Sequence, residues 1–374
     1  MHWVNQVRQR LAQHLAEGST DQLTSKIHRY LTMEIYCNPS RDRVAKSAPF
    51  PILPSSLLQG GHVVADTHPD GTPLLVHRDH AGQVKAYLNQ CRHRGVPLVK
   101  VGESPTLMKG SALVCPYHAW TYDVNTGNLK GVPGEKKGFP CLDKKDYSLP
   151  QIPVFEAAGG IWLGGQELID KGFLSLTEVH DELSVVMNTN DNDMHQIGFR
   201  EWELQANWQL LVETFLESYH VSTLHSDTLG VVAHSNVMVT DILDSRNFRM
   251  TVALKNFDAK DSDDDSFFGQ TSTTYLIFPH TAIALFKRFV LFLSIVPSGS
   301  SSRVRAWGIS RDESDMAGRD FDLIIAAIQE DWDCAQDIQC GLNHHPTEFT
   351  YGRFEGANVA FLRNVGLAAS QLDE

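Results

Sequence analysis

Two short motifs of cysteine and histidine constrain this chain more than any other feature. Cys91 and His93 form a C-x-H motif, and Cys115 and His118 form a C-x-x-H motif that begins 22 positions after His93. Two thiolates and two imidazoles in tight pairs bind one zinc ion or one two-iron cluster. Zinc sites usually pair like ligands within a loop, whereas each loop here offers one sulfur and one nitrogen. The pattern favours a [2Fe–2S] cluster, with a zinc knuckle as the alternative.

The residues around these motifs predict a small all-β domain. Apolar stretches at residues 62–64, 73–76 and 84–88 have the pattern of short strands, and turn residues separate them. Gly95 follows the first motif, where the missing side chain lets backbone amides approach the cluster. Tyr117 is expected to place its hydroxyl near the same cluster.

A second group of candidate ligands lies downstream. Asn207 is predicted to begin a helix that runs through Glu213 and Glu217 to His220, with His225 just beyond its end. Two imidazoles form a mononuclear iron site of the common type only when a carboxylate joins them. The sequence must therefore supply that carboxylate from another segment.

A predicted helix over residues 318–342 supplies it. Asp331 falls on the apolar stripe of this helix, whereas Asp333 falls on the polar face. A carboxylate on a buried stripe is unfavourable unless it is paired or bound to a metal. This argument favours Asp331, and an aspartate held by a local hydrogen bond at a domain interface is the alternative.

Both groups of residues resemble those of one known family. The cluster motifs, with Trp120 and the turn at residues 131–133, resemble the Rieske iron–sulfur motif. The segment from Asn207 to His225, followed by Asp331, resembles the catalytic domain of Rieske non-heme iron ring-hydroxylating oxygenases, the large α subunit. The resemblance covers most of the chain, from about residue 55 onwards.

The resemblance implies roles for single residues. The family's cluster ligands correspond here to Cys91, His93, Cys115 and His118. Its ligands to a mononuclear Fe(II) correspond to His220, His225 and Asp331. Glu217 corresponds to the carboxylate that bridges the metal centres of neighbouring subunits, between His118 of one and His220 of the next. Most members have Asp there, and some that act on quaternary ammonium compounds have Glu. Asn207 is included as a further candidate catalytic residue.

The expected fold class is α+β, with a small all-β Rieske domain and a helix-grip-like antiparallel sheet in the catalytic domain. We expect N-terminal helices over residues 1–45 that pack with the catalytic domain. The Rieske domain is expected at residues 46–165 and the catalytic domain at residues 166–374. A second N-terminal helix is predicted between residues 19 and 38, and the proline-rich stretch at residues 49–54 has the composition of a linker.

By the same resemblance, the chain is the oxygenase component of a multicomponent enzyme. It would hydroxylate or demethylate a small organic substrate with O2 and with electrons from NAD(P)H. No G-x-G-x-x-G motif follows a predicted strand, so a separate reductase, with or without a ferredoxin, is expected to dock near the Rieske domain. A homotrimer is expected. The alternatives are an arene cis-dihydroxylating dioxygenase, a Rieske electron-transfer protein and a zinc-binding interaction protein.

Charge and hydropathy limit the partners. The formal net charge is −13, although residues 46–150 hold 12 Lys and Arg against 8 Asp and Glu. An acidic chain argues against nucleic acid or an anionic membrane as partner. We find no apolar run of membrane-spanning length and no secretory signal pattern, so we expect a cytoplasmic protein with reduced cysteines.

Overall fold

The structure is a computed structural model. It describes residues 2–102, 106–107, 110–165, 169, 175–187, 194–312, 314–345 and 347–373. The chain divides into two compact units. One unit comprises Met1–Ser47, Leu168–Glu182 and Met194–Glu374, and the other comprises Ala48–Glu167 and Leu183–Asp193.

The elements follow one another closely. The α-helices span His2–Glu17 (α1), Thr32–Tyr36 (α2), Pro39–Ser47 (α3), Glu135–Gly138 (α4), Thr177–Met187 (α5), Trp208–Glu213 (α6), Leu229–Val232 (α7), Asp264–Phe267 (α8), Asp315–His344 (α9) and Gly356–Asp373 (α10). The strands span His28–Leu31 (β1), Phe50–Pro54 (β2), His62–Thr67 (β3), Pro73–Arg78 (β4), Val84–Leu88 (β5), Thr106–Leu107 (β6), Ala112–Val114 (β7), Thr121–Asp123 (β8), Leu129–Gly131 (β9), Gln151–Ile152 (β10), Val154–Ala157 (β11), Gly160–Leu163 (β12), His195–Leu204 (β13), Ala233–Leu243 (β14), Asn247–Leu254 (β15), Thr271–Ile277 (β16), Thr281–Leu285 (β17), Val290–Ser298 (β18), Ser301–Ser310 (β19) and Glu348–Tyr351 (β20).

The smaller unit is built from antiparallel sheets. Its described strands form one sheet in the order β10-β5-β4-β3-β6 and two three-stranded sheets, β7-β8-β9 and β11-β12-β2. Buried residues of the first two sheets share one apolar core with Cys91 and Cys115, and this core includes Leu75, Trp120 and Tyr122. The cysteine-bearing loops are therefore fixed by the core of this unit.

The larger unit is a seven-stranded antiparallel sheet with helices packed on it. The strand order is β13-β19-β18-β17-β16-β15-β14, so each strand from β14 to β19 pairs with its neighbour in sequence. Helix α1 packs its apolar side, including Trp3 and Val7, against Val237 and Ala253 of the sheet. This architecture confirms the predicted α+β fold class.

A pair of glycines fixes how the longest helix lies on the sheet. Gly198 of β13 and Gly308 of β19 are register partners. A Cβ atom built on either glycine would come within 2.5 Å of the Phe321 ring of α9. Only glycine permits this close approach. Asp331 follows Phe321 by ten residues, about 15 Å along the helix axis, so this contact positions the carboxylate.

Two local predictions were wrong. Residues 19–31 do not form a helix: Leu23, Ile27 and Leu31 are exposed, and β1 pairs antiparallel with β20. Only residues 32–36 of that segment are helical, and Pro39 begins α3 rather than ending a helix. Proline suits the first turn of a helix, where its missing N–H leaves no bond unmade.

The proline-rich stretch is also not a linker. Residues 50–54 form β2, which is buried throughout and pairs with β12 at the edge of its sheet. An edge strand tolerates proline because one side of it needs no ladder hydrogen bonds. Among the described helices, none is long and apolar enough to cross a membrane.

Candidate functional site

The two cysteine loops are tight turns of the same design. In each, the amide four residues after the cysteine donates to the cysteine carbonyl, at 3.0 Å from Ala119 to Cys115 and at 2.9 Å from Gly95 to Cys91. Both residues have positive φ, +79° for Gly95 and 57° for Ala119. This conformation is easy for glycine and unfavourable by about 1–2 kcal/mol for alanine. Each cysteine is therefore held by a hydrogen-bonded turn that is formed by residues close to it in the sequence.

Hydrogen-bond donors surround the sulfurs. The Tyr122 hydroxyl lies 3.4 Å from Cys91 Sγ and accepts the Arg92 N–H at 2.9 Å, so its own proton is free for the sulfur. Burial raises the pKa of the Cys115 thiol, and the N–H groups of Tyr117 and His118 oppose that shift. Such donors favour the thiolate that a metal requires.

The hydroxyl near the sulfurs does not come from the expected residue. Tyr117 is 54% exposed, and its ring centroid lies 3.7 Å from that of His118. Tyr122 was not predicted from the sequence. Its signal was the alternation of Trp120, Tyr122 and Val124, all of which are buried. Alternate residues of a strand face the same side, so Tyr122 points into the core with Trp120.

The two histidines of these loops lie together near the surface. Their ring centroids are 4.7 Å apart, and the His93 ring stacks on Trp120 at 4.8 Å. His93 is half-buried and His118 is exposed, whereas both cysteines are buried. Burial, followed by the charges of His118 and Arg94, lowers the pKa of His93. The imidazole of His93 is therefore neutral at pH 7, the form that binds a metal.

An unpaired nitrogen makes this donor set fit a cluster. His93 Nδ1 is buried and has no hydrogen-bond partner among the described residues. Buried polar atoms are normally paired, so an unpaired one next to two cysteines and a second histidine indicates a missing ligand. Two thiolates inside and two imidazoles outside are the donors that a two-iron cluster of mixed ligation needs.

The downstream histidines lie on turns rather than on a helix. Helix α6 ends at Glu213, so the prediction that it continues to His220 was wrong. Beyond it, the amides of Phe215 and Leu216 donate three residues back, and Thr214 Oγ1 donates to the Leu211 carbonyl. These bonds tighten the chain into turns. His220 and His225 therefore meet through the fold of a loop and not through helical spacing.

Asn207 has a structural position in this arrangement. Its side-chain oxygen accepts the Gln209 N–H at 2.9 Å and so caps the N-terminus of α6. Its Nδ2 donates to the Tyr36 carbonyl at 3.0 Å. Asn207 lines a cavity with Asp42 and other residues, which is different from the cavity at His220.

His220, His225 and Asp331 converge on one point. One potential ligand atom of each lies within 4.8 Å of the other two. Asp331 Oδ1 is 3.1 Å from Nε2 of His225 and 3.4 Å from Nε2 of His220. His225 is 1% exposed and Asp331 5% exposed, and Asp331 Oδ1 accepts no hydrogen bond from the described residues. Three potential ligand atoms that face one another in this way fit a mononuclear metal ion.

A carboxylate holds the outer nitrogen of each histidine. Glu217 Oε1 contacts Nδ1 of His220 in a short hydrogen bond, and Glu330 Oε2 lies 2.6 Å from Nδ1 of His225. Thr228 Oγ1 donates to the same Glu330 oxygen at 2.8 Å. A carboxylate at Nδ1 makes that nitrogen the N–H donor and leaves the lone pair of Nε2 for a metal. Glu330 was not predicted from the sequence, although it directly precedes Asp331.

The pKa shifts of His220, His225 and Asp331 indicate a site for a cation. Burial raises the pKa of Asp331, since a carboxylate charge is poorly solvated there. Burial lowers the pKa of both histidines, but the carboxylates Glu217, Asp331 and Glu330 outweigh it, so the net shift is upward. Excess negative charge at a buried site is stabilised by a bound metal ion.

A cavity of about 420 Å³ opens beside these residues. Its described lining includes three aromatic rings, those of Tyr36, Phe349 and Tyr351. Its charged lining consists of His220 and of carboxylates, with no Lys or Arg among the described residues that line it. The acidic residues of the lining are Glu213, Glu217, Asp331, Glu348 and Glu355.

Comparisons with known proteins identify two domains in this chain. The profile of the Rieske [2Fe-2S] domain matches residues 48–155, and that of the ring hydroxylating alpha subunit, catalytic domain, matches residues 191–368. These matches confirm the expected cofactor classes, a [2Fe–2S] cluster and a mononuclear iron.

Individual relatives include both dioxygenases and monooxygenases. The chlorobenzene dioxygenase subunit alpha of Cupriavidus sp. (strain PS12) is 33% identical over 153 residues, 40% of this chain and 33% of the relative. The glycine betaine monooxygenase oxygenase subunit of Pseudomonas aeruginosa (strain UCBPP-PA14) is 37% identical over 184 residues, 48% and 40% of the two chains. The matches thus span about a third to two fifths of these relatives.

One solved structure extends the likeness in fold. The quaternary ammonium Rieske monooxygenase CntA, solved with an inhibitor, superposes with a TM-score of 0.73 at 16% identity, over 89% of this chain and 91% of that one. At this identity the likeness concerns the fold alone. With a Rieske [2Fe-2S] domain followed by a ring-hydroxylating catalytic domain, this chain belongs to the Rieske non-heme iron oxygenase family.

Proposed function

We propose that this chain is the oxygenase component of a multicomponent Rieske non-heme iron monooxygenase. The observation that carries the proposal is the convergence of His220, His225 and Asp331 within 4.8 Å, with a carboxylate on the outer nitrogen of each histidine. The electron-transfer alternative has no use for such a site. A zinc-binding interaction protein would need neither this site nor the mixed cysteine–histidine loops.

We propose the following ligands. Cys91, His93, Cys115 and His118 hold the [2Fe–2S] cluster, and His220, His225 and Asp331 hold the mononuclear Fe(II). When bound, the two metal centres supply electron storage and dioxygen activation. Glu217 and Glu330 keep Nδ1 of His220 and His225 protonated, and the buried surroundings of His225 and Asp331 exclude water.

Glu217 is proposed to connect neighbouring subunits as well. Its Oε1 contacts His220, and its Oε2 accepts the backbone N–H groups of Tyr219 and His220. A carboxylate offers about four acceptor positions, so it can also accept an N–H from His118 of a neighbouring chain. His118 is exposed and available for such a contact. This arrangement supports the expected homotrimer.

The two units are proposed to have separate roles. We propose that residues 46–165 receive the electrons and that residues 166–374, with residues 1–45 packed on them, carry out the oxygenation. Electrons come from NAD(P)H through a separate reductase, with or without a ferredoxin. The exposed Arg92 and Arg94 flank His93 and give a positive charge to the surface on which the reductase or ferredoxin would dock.

We propose a cationic substrate, such as a quaternary ammonium compound. The cavity next to His220 is lined by carboxylates and aromatic rings, which together attract a cation. Two of the similar proteins are named for glycine betaine and for quaternary ammonium compounds.

Arene cis-dihydroxylation is the second candidate, because the matched relatives include the alpha subunit of a chlorobenzene dioxygenase. Turnover decides between them. The iron-loaded chain, a surrogate reductase and NADH would be incubated with quaternary amines, methoxyarenes, aromatic acids and simple arenes. Substrate-dependent oxygen consumption with a demethylated or hydroxylated amine supports the proposal. A cis-diol from an arene alone favours the second candidate, and no oxygen consumption with any compound contradicts both.

A further inference from the structure

Three oxygen-bearing side chains form a closed ring in the wall of the cavity. Glu213 Oε1 lies 2.7 Å from the Tyr36 hydroxyl, and Glu213 Oε2 lies 2.6 Å from the Tyr351 hydroxyl. The two tyrosine hydroxyls lie 2.8 Å from each other. All three residues are buried, and all three line the cavity that also contains His220 and Asp331.

Counting protons shows the charge state that suits this ring. Each of the three oxygen–oxygen contacts is short enough for a hydrogen bond and needs one proton. The two tyrosines supply two protons. If Glu213 were ionised, one pair of oxygens would face each other with no proton between them. If Glu213 is protonated, each group donates to the next around the ring and all three contacts are hydrogen bonds.

The surroundings of Glu213 agree with that count. Burial raises the pKa of Glu213 to about 7, against the opposing effects of the tyrosine hydroxyls, Asn358 and the Arg41 charge. Arg41 donates to Gln209 Oε1 and to the Leu362 carbonyl. Asn358 Nδ2 donates to the Glu213 backbone carbonyl. The ionisable groups that line the same cavity are Glu217, His220, Asp331, Cys334, Glu348 and Glu355.

We propose that Glu213, Tyr36 and Tyr351 hold a proton as a neutral carboxylic acid and pass it into the cavity during oxygen reduction. This inference rests on the proposed function. Monooxygenation consumes O2, two electrons and two protons and yields one hydroxylated product and one water. The reductase supplies the electrons, and one of the two protons comes from Glu213.

The proton moves along the ring. The O–H bond of Glu213 breaks and its electron pair stays on the carboxylate. A tyrosine hydroxyl accepts this proton while it releases its own into the cavity, where the proton becomes part of the water formed. The Glu213 carboxylate then takes up a proton from solvent. Glu213 is thus a positioned proton donor in the wall of the cavity.

Infrared spectroscopy of the metal-free chain tests whether the ring holds a proton. We expect a carbonyl stretch of a protonated carboxyl at pH 6 that disappears with a midpoint of about pH 7. Glu213→Gln should remove this band. Glu348→Gln should keep it, because Glu348 is an exposed carboxylate of the same cavity and of the same strand as Tyr351. A wild-type spectrum without the band at pH 6, or a band that survives in Glu213→Gln, overturns the proposal.

Conservative tyrosine variants guard against a folding defect in Glu213→Gln. Tyr351→Phe keeps the ring shape but removes one donor to the carboxylate, so the midpoint should move to higher pH. Tyr36→Phe should move it in the same direction. A side chain with only a packing role would not change the midpoint of another group, so an unchanged midpoint in both variants overturns the ring.

Proton delivery is tested on the fully loaded enzyme by the fraction of consumed O2 that appears in product rather than in peroxide. Glu213→Gln should lower this fraction several-fold at all pH values while the rate of cluster reduction by the reductase stays unchanged. A fraction equal to that of the wild type overturns delivery. If wild type consumes no O2, the proposed function fails and delivery fails with it, while the infrared band still decides whether the ring holds a proton.

Discussion

The two candidate metal sites hold their histidines in opposite ways. In the cysteine loops, His93 has a lowered pKa and a buried nitrogen with no hydrogen-bond partner in the described part of the chain, and His118 is exposed. At the other site, His220 and His225 each have a carboxylate on Nδ1 and a raised pKa. The first pair is fixed by short backbone turns and the second by acidic side chains from distant segments.

This difference fits the separate tasks that are proposed for the two sites. An electron-transfer centre needs an exposed edge through which electrons leave, and the histidine side of the cluster loops provides one. An oxygen-activating centre needs fixed ligands, a dry interior and open positions for substrate and O2. Under the proposed assignment, the carboxylates Glu217 and Glu330 fix the histidine ligands, and the cavity beside His220 gives room for the substrate.

The largest expected effect breaks the first site alone. Cys115→Ala or His93→Ala should abolish the visible iron–sulfur absorbance, because an open ligand position exposes the cluster to solvent. Iron analysis should still find about one iron per chain at the second site. Cys141→Ala, at an exposed cysteine, is the matched control and should keep the full spectrum. Retained absorbance in either ligand variant contradicts the assignment.

The complementary change breaks the second site alone. Asp331→Ala should lose the mononuclear iron and all turnover and keep the cluster spectrum. Asp333→Ala lies two residues away on the exposed face of α9 and should change stability by no more than about 0.5 kcal/mol. The measurements are iron content, visible absorbance and turnover. Iron loss in Asp333→Ala but not in Asp331→Ala would reverse the assignment.

Glu217→Gln tests whether the two sites communicate through this carboxylate. All irons should stay bound, since Glu217 is not a ligand, and the cluster should still be reducible. Reoxidation of the reduced cluster by O2 with substrate should slow greatly, because an amide cannot accept N–H bonds from two imidazoles as a carboxylate does. Rapid mixing followed by absorbance measures this rate. Cluster reoxidation at the wild-type rate would show that Glu217 does not bridge the two sites.

A smaller effect is expected at the carboxylate behind His225. Glu330→Gln should weaken iron binding by about 10–100-fold, the usual loss when a carboxylate behind a metal-bound histidine is changed. Equilibrium dialysis with Fe(II) measures the affinity. Asp337→Asn, at an exposed position of the same helix, should bind iron as the wild type does. Equal affinities in both variants would show that Glu330 does not orient His225.

The smallest effect concerns the pH dependence of folding. The pKa of Glu213 is raised from 4.5 to about 7 on folding, so the folded state binds this proton more tightly than the unfolded state. The resulting stability is fully present below about pH 4.5 and is lost as pH rises through 7. Relative to Glu213→Gln, the wild type should lose about 3 kcal/mol of unfolding free energy over this range.

Urea denaturation at pH 5 and pH 8 measures the difference. Glu348→Gln should show the same pH dependence as the wild type, because its carboxylate is exposed. Parallel pH dependences of the wild type and Glu213→Gln would mean that the carboxyl is ionised throughout.

Features that depend on residues close together in the sequence were predictable. The cysteine loops close within five residues, so the two motifs and Gly95 already imply them. The phase of α9 was predictable as well, because helical periodicity places Asp331 on the buried stripe and Asp333 outside it. The antiparallel sheets followed from alternating residues and turns.

Features that join distant segments were decided only by the tertiary structure. Tyr36 and Glu213 are 177 residues apart in the chain, and Tyr351 lies a further 138 beyond Glu213. No local pattern relates them, and Tyr36 even lies in a segment for which helical spacing predicted the wrong conformation. The pairing of β1 with β20 brings the segments of Tyr36 and Tyr351 together, since sheet pairing has no fixed sequence distance.

The site of His220, His225 and Asp331 combines features that the sequence predicted with features that only the tertiary structure decided. The sequence by itself determined that His220 and His225 lie close together along the chain and that Asp331 falls on the buried stripe of α9. The end of α6 at Glu213, the turns beyond it and the contact of Phe321 with two glycines decided how the three side chains meet. The physical reason is that periodicity determines which face of an element is buried, while packing between elements determines which buried faces come into contact.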